Sequence, residues 1–529
     1  MHELGNLRVE RRRRKKWPLV TAGILAPLLV GGGVIWVTRT TSSPEETAEA
    51  FLSAWSRRDY PAMRALVHEP PPDFTGAYQR FFKDLKIASA AFEVGEPARE
   101  SEEGRVVPFT ATLKGAVDWT YEGKLHVGEW DGAWKLDWST TAIHPSLGHQ
   151  AVLKLVTDKP ETAAVSAADG TRIDGTDAPG SVQQLVDGLK ETYKDRLTGS
   201  ASTKLNLYRD GKLVETVAEK GATEGKPLKT TIDLRVHRAG ADALEGVTKP
   251  ASLVALRPST GEILAAVNKP GGFNRALLGK YPPGSTFKVV TASALVADGV
   301  APDKTVTCPP EQNIGGFPFH NAAFHDYGTL SFRDAFAHSC NTTFGAMAVS
   351  SLNGGRLGEV AASFGFGAPI TPGVPAVRAE FPDPKDDTDL ASASIGQGRV
   401  LASPLNMATV AAAIANGTWR PPRLVPADLL PAGGSAPRKL EPKVVSALRD
   451  LMPAVISEGT AHAVRFPPGS AGKTGTAEYG SGKEPPSHSW FVGYQEDLAF
   501  AVIVEGAGAG AAVAAPVAAR FLNNLDTSR

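Results

Sequence analysis

Hydrophobic positions along this 529-residue chain follow three patterns in succession. The first is an uncharged stretch from Trp17 to Val37, about 21 residues long. At about 1.5 Å per residue, a helix of that length crosses a bilayer core of about 30 Å. The second is helical. Ala48, Phe51, Leu52 and Trp55 recur at i, i+3, i+4 and i+7, one face of a helix. Ser43-Pro44-Glu45-Glu46 precedes them as a start signal, with Ser43 as cap, Pro44 in the first helical position and Glu46 completing a capping box. A shorter helical pattern covers Tyr60 to Val67. The third has period two. Val106–Leu113 and Trp119–Val127 read as strands, and Asp131-Gly132 supports a two-residue hairpin turn. After it, Trp134, Leu136 and Trp138 alternate onto one face. Helices followed by an antiparallel sheet predict an α+β module over residues 43–147.

Residues 150–227 are more polar, with turn signals at Asp169-Gly170, Asp174-Gly175 and Pro179-Gly180. Within them, Val182–Leu197 reads as one amphipathic helix, with Leu185, Leu189 and Tyr193 four apart. No chemistry is expected of this segment. From residue 228 to 526 the pattern predicts one large α/β unit. It opens with a strand at Thr230–Asp233, a helix from Leu234 to Leu244, and a hairpin of Ala251–Pro258 and Ile263–Asn268 turning at Thr260-Gly261.

Composition then narrows the function. Hydrophobic residues make up 42% and charged residues 21%, which predicts folded domains rather than disorder. Basic and acidic residues balance at 56 each, so the surplus a nucleic-acid binder needs is missing. The local exception is Arg11–Lys16, a basic run directly before the apolar stretch. It predicts residues 1–16 as a cytoplasmic tail, 17–38 as a single transmembrane anchor, and everything after as extracytoplasmic, at the plasma membrane. A cleaved signal peptide is the rival, but Thr38-Arg39-Thr40-Thr41 offers no small-x-small site. The chain has two cysteines, Cys308 and Cys340, outside any cluster with metal spacing, so no metal site and no cofactor are expected. An oxidising location permits a disulfide between them, whereas a simply buried Cys340 would leave two free thiols, and both readings stay open.

The candidate chemistry lies in three short motifs. Ser285 and Lys288, in Pro283-Gly284-Ser285-Thr286-Phe287-Lys288, are three apart and share one helix face. A serine hydroxyl needs a base, and a desolvated lysine can serve as one. The helix N-terminus adds partial positive charge for a developing oxyanion. Alone, Ser-x-x-Lys occurs by chance in most long chains. Ser339-Cys340-Asn341 follows about 50 residues later, and Lys473-Thr474-Gly475-Thr476 about 130 residues after that.

As an ordered set these motifs match a known catalytic signature and resemble those of penicillin-binding proteins and serine β-lactamases. Phe273-Asn274-Arg275-Ala276, Gly396-Gln397-Gly398 with Ser403-Pro404, and Trp490–Tyr494 resemble the flanking pattern of that family. The likeness covers residues 228–526 and implies a penicillin-binding, β-lactamase-like transpeptidase fold. Residues 43–147 resemble the NTF2-like domain of some class B penicillin-binding proteins, and 150–227 occupy the place of their linker or dimerisation region. The Arg-Gly motif expected early in that linker is not recognisable.

The resemblance implies an acyl-serine D,D-transpeptidase that cross-links peptidoglycan stem peptides and is inhibited covalently by β-lactams. Ser285 would attack, Lys288 would take its proton, Ser339 would relay a proton to the leaving group, and Asn341 would hold Lys288 and the acyl chain's amide. Lys473 would add positive potential near the substrate carboxylate, with hydroxyls from Thr474 and Thr476. Gly475 would leave room where substrate approaches the strand. Backbone N–H groups of Ser285 and Thr476 would form the oxyanion hole. His338, beside Ser339, reads as a structural or surface residue. Other cell-wall synthesis proteins are candidate partners. A D,D-carboxypeptidase, a β-lactamase or a non-catalytic β-lactam sensor are the alternatives on this fold. The Glu-x-x-Leu-Asn loop of class A β-lactamases is not found between Ser339 and Lys473.

Overall fold

The computed structural model describes residues 43–96, 105–148, 150–481 and 485–527. The expected anchor at 17–38 lies outside the described residues, and among those described no helix is long and apolar enough to cross a membrane. The chain divides into two compact units. One contains residues up to 158 together with 203–221, and the other contains 159–202 and 222–529.

In the first unit, α1 (Pro44–Ser56), α2 (Tyr60–Ala65) and α3 (Phe74–Asp84) precede the antiparallel sheet β1 (Ile87–Val94), β2 (Arg105–Gly115), β3 (Trp119–Trp130) and β4 (Ala133–Asp137). Ser43 caps α1, its Oγ accepting from Glu46 N at 3.2 Å. The β3–β4 turn has φ of 53° at Asp131 and 75° at Gly132, the paired positive values of a two-residue hairpin. The helices pack rings against the sheet. Trp55, fully buried, lies 4.3 Å from Phe92, 5.0 Å from Tyr78 and 6.1 Å from Phe109, centroid to centroid.

The stretch 150–227 is not a body of its own. β5 (Ala151–Thr157), β6 (Thr203–Arg209) and β7 (Lys212–Lys220) form an antiparallel sheet whose Leu153, Leu155, Leu205 and Val217 join the core of the first unit. Residues 159–202 belong to the second unit, where Leu185, Val186 and Leu189 are buried. The helix expected over 182–197 breaks at Tyr193 (φ −108°, ψ 25°), giving Gln183–Thr192 and Lys194–Leu197.

The rest of the second unit, from 222 onward, has as its first helix α4 (Leu234–Ala243), capped by Asp233, whose Oδ1 accepts from Arg235 N and Val236 N. Its five-stranded sheet contains β8 (Ala251–Arg257) and β9 (Glu262–Lys269). Between these and its last three strands lie α5 (Lys288–Ala297), the hairpin β10 (Glu311–Ile314) and β11 (Phe317–His320), α6 (Asn341–Ser351), α7 (Pro404–Asn416) and α8 (Pro442–Ser457). The sheet is completed by β12 (Ala471–Glu478), β13 (Ser487–Gln495) and β14 (Leu498–Val504), and α9 (Ala514–Thr527) follows. The order is β9-β8-β14-β13-β12, antiparallel throughout. β8 and β14 are buried along nearly their whole length, as strands covered on both faces must be. β12 is one of the two edge strands, so one side of its backbone is unpaired within the sheet.

Candidate active site

Three segments of the second unit converge at β12, on the outer edge of the sheet. The first is a 3₁₀ turn, Gly284–Phe287, that runs into α5. A 3₁₀ turn has three residues per turn, so positions i and i+3 eclipse more closely than on an α-helix. Lys288 Nζ therefore lies 3.1 Å from Ser285 Oγ. Gly284 has φ 53°, and a Cβ on it would meet Thr476 O at 2.5 Å, so glycine is required on both counts. Gly284 N donates to Gly396 O at 2.8 Å, which gives the Gly-Gln-Gly motif its place behind the turn.

The second segment is the turn into α6. Ser339 has φ 60°, a left-handed conformation that costs a non-glycine residue energy and is held by its surroundings. It directs both Ser339 O, at 2.6 Å, and Ser339 Oγ, at 3.3 Å, toward Lys288 Nζ. Asn341 Oδ1 accepts from the same nitrogen at 2.7 Å. Four oxygens thus surround one amine that is 0% exposed. Burial, and then the charge of Lys473, hold the Lys288 amine well below the usual lysine range. A neutral amine has a lone pair free to accept the Ser285 proton.

The third segment is β12 itself. Lys473 is also fully buried, and burial pushes it down to about 7. Its Nζ lies 5.6 Å from the Phe336 ring centroid. Thr474 Oγ1 is 2.6 Å from Thr460 Oγ1, and Thr476 Oγ1 accepts from Gly510 N at 3.2 Å. A Cβ on Gly475 would meet Thr286 Cγ2 at 2.8 Å and Pro283 O at 3.0 Å. The space expected to admit substrate is therefore filled by protein, and Gly475 lets the nucleophile turn lie against the strand.

All eight residues expected of the site thus fall within this one arrangement. A model of the penicillin binding protein transpeptidase domain matches residues 251–523, and one of the NTF2-like N-terminal transpeptidase domain matches residues 43–151. The chain belongs to the penicillin-binding protein transpeptidase family. It is 33% identical to the peptidoglycan D,D-transpeptidase PbpA of Mycolicibacterium smegmatis over 357 residues, 55% of this chain and 71% of that one. With penicillin-binding protein 3 of Bacillus subtilis it shares 26% over 362 residues, 60% of this chain and 53% of the relative. Among solved structures, the penicillin G acyl-enzyme complex of penicillin-binding protein A from M. tuberculosis superposes with TM-score 0.55 at 25% identity, covering 69% of this chain and 99% of the other. A D,D-transpeptidase domain from Eggerthella lenta gives 0.56 at 26%, covering 70% and 99%.

Around the three motifs this penicillin-binding protein carries further supports, of which sequence reasoning missed Asn321, Thr460, Tyr281 and Glu505 and left the disulfide open. Cys308 and Cys340 are joined as a disulfide, Cα atoms 6.1 Å apart, which fastens the middle of Ser-x-Asn to the strand at Thr305–Cys308. Asn321 and Thr460 touch motif residues directly. Arg275 Nε at 2.9 Å and the Tyr281 hydroxyl at 2.6 Å both donate to Glu505 Oε1, so the Phe-Asn-Arg-Ala motif secures the approach to the nucleophile turn. His338 stacks on Tyr327, ring centroids 4.6 Å apart.

Proposed function

We propose that the chain is an acyl-serine D,D-transpeptidase acting on peptidoglycan stem peptides that end in D-Ala-D-Ala, with Ser285 as nucleophile. One observation carries this reading. The fully buried Lys288 has Ser285 Oγ, Ser339 Oγ and Asn341 Oδ1 within hydrogen-bond reach at 3.1, 3.3 and 2.7 Å.

Ser285 Oγ forms a bond to the penultimate carbonyl carbon as its proton passes to the Lys288 amine. The amide C–N bond then breaks. The proton moves from Lys288 by way of Ser339 Oγ to the departing D-Ala nitrogen, and the acyl-enzyme remains. An amine from a second stem peptide attacks the ester, loses its proton to the same lysine, and Ser285 Oγ leaves with that proton. Backbone N–H groups of Ser285 and Thr476 stabilise the oxyanion in both halves. Lys473, Thr474 and Thr476 take the terminal carboxylate. Asn341 holds Lys288 and the acyl chain's amide.

Finer parts of the proposal rest on the sequence. Arg11–Lys16 and Trp17–Val37 support a single-pass anchor that leaves residues 43–529 outside the plasma membrane. The ring-filled interior of the first unit supports a spacer rather than a ligand cup.

Intact mass after mixing residues 43–529 with benzylpenicillin tests the reading. One equivalent should be consumed, with an adduct that persists for many minutes and is lost in Ser285→Ala. Turnover with a vanishing adduct would make this a β-lactamase instead. Without a base for deacylating water, hydrolysis forgoes roughly 10²–10⁴-fold of rate.

A further inference from the structure

We propose that Asn321 is a positioning residue for acylation, holding the Ser-x-Asn segment against Lys288 from outside its own helix. The inference rests on the assignment of Ser285 and Lys288 above and extends it to a residue outside the three motifs.

The start of α6 needs such a partner. The first N–H groups of a helix lack acceptors within it. Cys340 occupies the cap position and supplies no side-chain hydrogen bond. Asn321 supplies it instead. Its Oδ1 accepts from Asn341 N at 2.9 Å, from Thr342 N at 3.3 Å and from Thr342 Oγ1 at 3.4 Å. Its Nδ2 donates to Pro309 O at 2.8 Å, His325 O at 3.0 Å and Cys308 Sγ at 3.2 Å. Asn321 is 2% exposed, so water replaces none of these bonds cheaply. A flipped carboxamide would set its N–H groups against two backbone donors, so the network fixes the orientation.

Adjacent backbone completes the grip. Asn341 Nδ2 donates to His320 O at 2.9 Å while Asn341 Oδ1 accepts from Lys288 Nζ at 2.7 Å. The two ends of the Asn341 carboxamide are thus held by His320 and by Lys288, and its backbone by Asn321. The disulfide fastens the neighbouring Cys340 to the same loop. The β10–β11 hairpin and the turn after it therefore set where the amide oxygen of Asn341 meets the base.

The test measures the acylation rate constant of the detergent-solubilised full chain with a fluorescent penicillin across pH. Lys473 is the charged group that faces Lys288 from the opposing strand, and it is unchanged in every variant. Asn321→Leu removes the acceptor and should slow acylation about 10- to 100-fold, as small misplacements of catalytic groups do. It should also move the acidic limb to lower pH, because the ammonium form of Lys288 loses the oriented Asn341 oxygen. Asn321→Asp keeps an acceptor at the helix start but sets its second oxygen against Pro309 O and His325 O, so it should restore only part of the rate. Its negative charge should shift the acidic limb the opposite way, to higher pH. In an Asn341→Ala background, Asn321→Leu should cost under about threefold, because coupled positions are not additive.

A limb that stays put in both variants, or full additivity with Asn341→Ala, would overturn the proposal. If Asn321→Leu fails to fold, the limb of Asn321→Asp decides alone, and an unshifted limb refutes. Wild-type protein that forms no Ser285 adduct would instead sink the assignment of the nucleophile.

Discussion

Both units bury side-chain polar atoms that lack partners, His237 Nδ1, Ser252 Oγ and Arg399 Nε in the second among them, and they differ in what the second adds to these. In the first, Trp55 Nε1, Trp119 Nε1 and His144 Nε2 are buried with no hydrogen-bond partner. Burial lowers the His144 ring to about 4, so it is neutral at ordinary pH. These groups sit singly among rings, where each aromatic side chain contributes about 150–250 Å² of buried surface. In the second unit, the buried Lys288 amine meets four oxygens from Ser285, Ser339 and Asn341. An isolated buried dipole costs stability and does nothing more. Burial lowers the proton affinity of such an amine, and the oxygens oriented around it give it a defined neighbour to receive a proton from. Catalytic capacity follows the connection of buried polar groups, not their number.

Two substitutions separate these terms most sharply. Lys288→Met should reduce acylation by penicillin by at least about 10²–10⁴-fold, the worth of a positioned base. It should leave the melting temperature equal or higher, because a desolvated amine gives way to an apolar chain of similar length. Trp55→Ala should do the reverse, lowering stability by about 3–5 kcal/mol through the cavity it opens. The acylation rate of the molecules that remain folded should be unchanged. Stopped-flow acylation and thermal melting of both variants check this. A slow Trp55→Ala enzyme would mean that the ring cluster is more than support.

The same contrast marks what was legible in the sequence. Asp131-Gly132 announced its hairpin because both residues tolerate positive φ, a local property. Ser285 and Lys288 were legible for a similar reason, since one turn brings i and i+3 together whatever surrounds it. α3 went unrecognised. It follows Pro70-Pro71-Pro72, and no side-chain cap bond marks its start at Asp73. The helix read across 182–197 was one element too long, because apolar spacing by four does not register the change of backbone at Tyr193. Residues 203–220 carry a local hairpin signal at Asp210-Gly211, but nothing in 151–157 or 203–220 showed that these strands pair with each other and join the first unit, which long-range packing decides. Asn321 and Thr460 were invisible likewise. Each reaches its motif across the fold rather than along a repeat, and each is a common polar residue in a loop.

An intermediate effect concerns pH. Acylation needs Lys288 neutral, so its rate rises as pH passes upward through that lysine's depressed value. Binding of the substrate carboxylate benefits from a protonated Lys473, and that charge is lost as pH rises through about 7. Where Lys288 is already neutral, the rate should then fall as Lys473 loses its charge near 7, well below the usual lysine range. In Lys473→Met the maximum should drop and the alkaline fall should disappear, while the acidic limb moves to higher pH because a neighbouring positive charge is gone. A profile flat from 6 to 9 in the wild type would show that Lys473 is not titrating there.

The smallest effect lies at Thr460, on the loop after α8. Its N–H donates to Ala337 O at 3.0 Å, and a Cβ on the preceding Gly459 would meet that same oxygen at 2.3 Å, so the loop is fixed close to the Ser-x-Asn segment. Its hydroxyl lies 2.6 Å from Thr474 Oγ1. If Thr460 donates, the proton of Thr474 is free to point at a carboxylate, and its donor strength is increased by the bond it accepts. If Thr474 donates, that proton is already spent. Thr460→Val keeps the shape and removes the hydroxyl, a change of about 0.5–1.5 kcal/mol in a net hydrogen bond. With Thr460 as donor, the variant should bind penicillin about 2- to 10-fold more weakly before acylation, at one factor of ten per 1.36 kcal/mol. The first-order acylation constant should hold, because Ser285 and Lys288 are untouched, and Thr460→Ser should recover the affinity. Tighter binding by Thr460→Val would instead mean that Thr474 donates in the resting enzyme and must let go of Thr460 to take the substrate carboxylate.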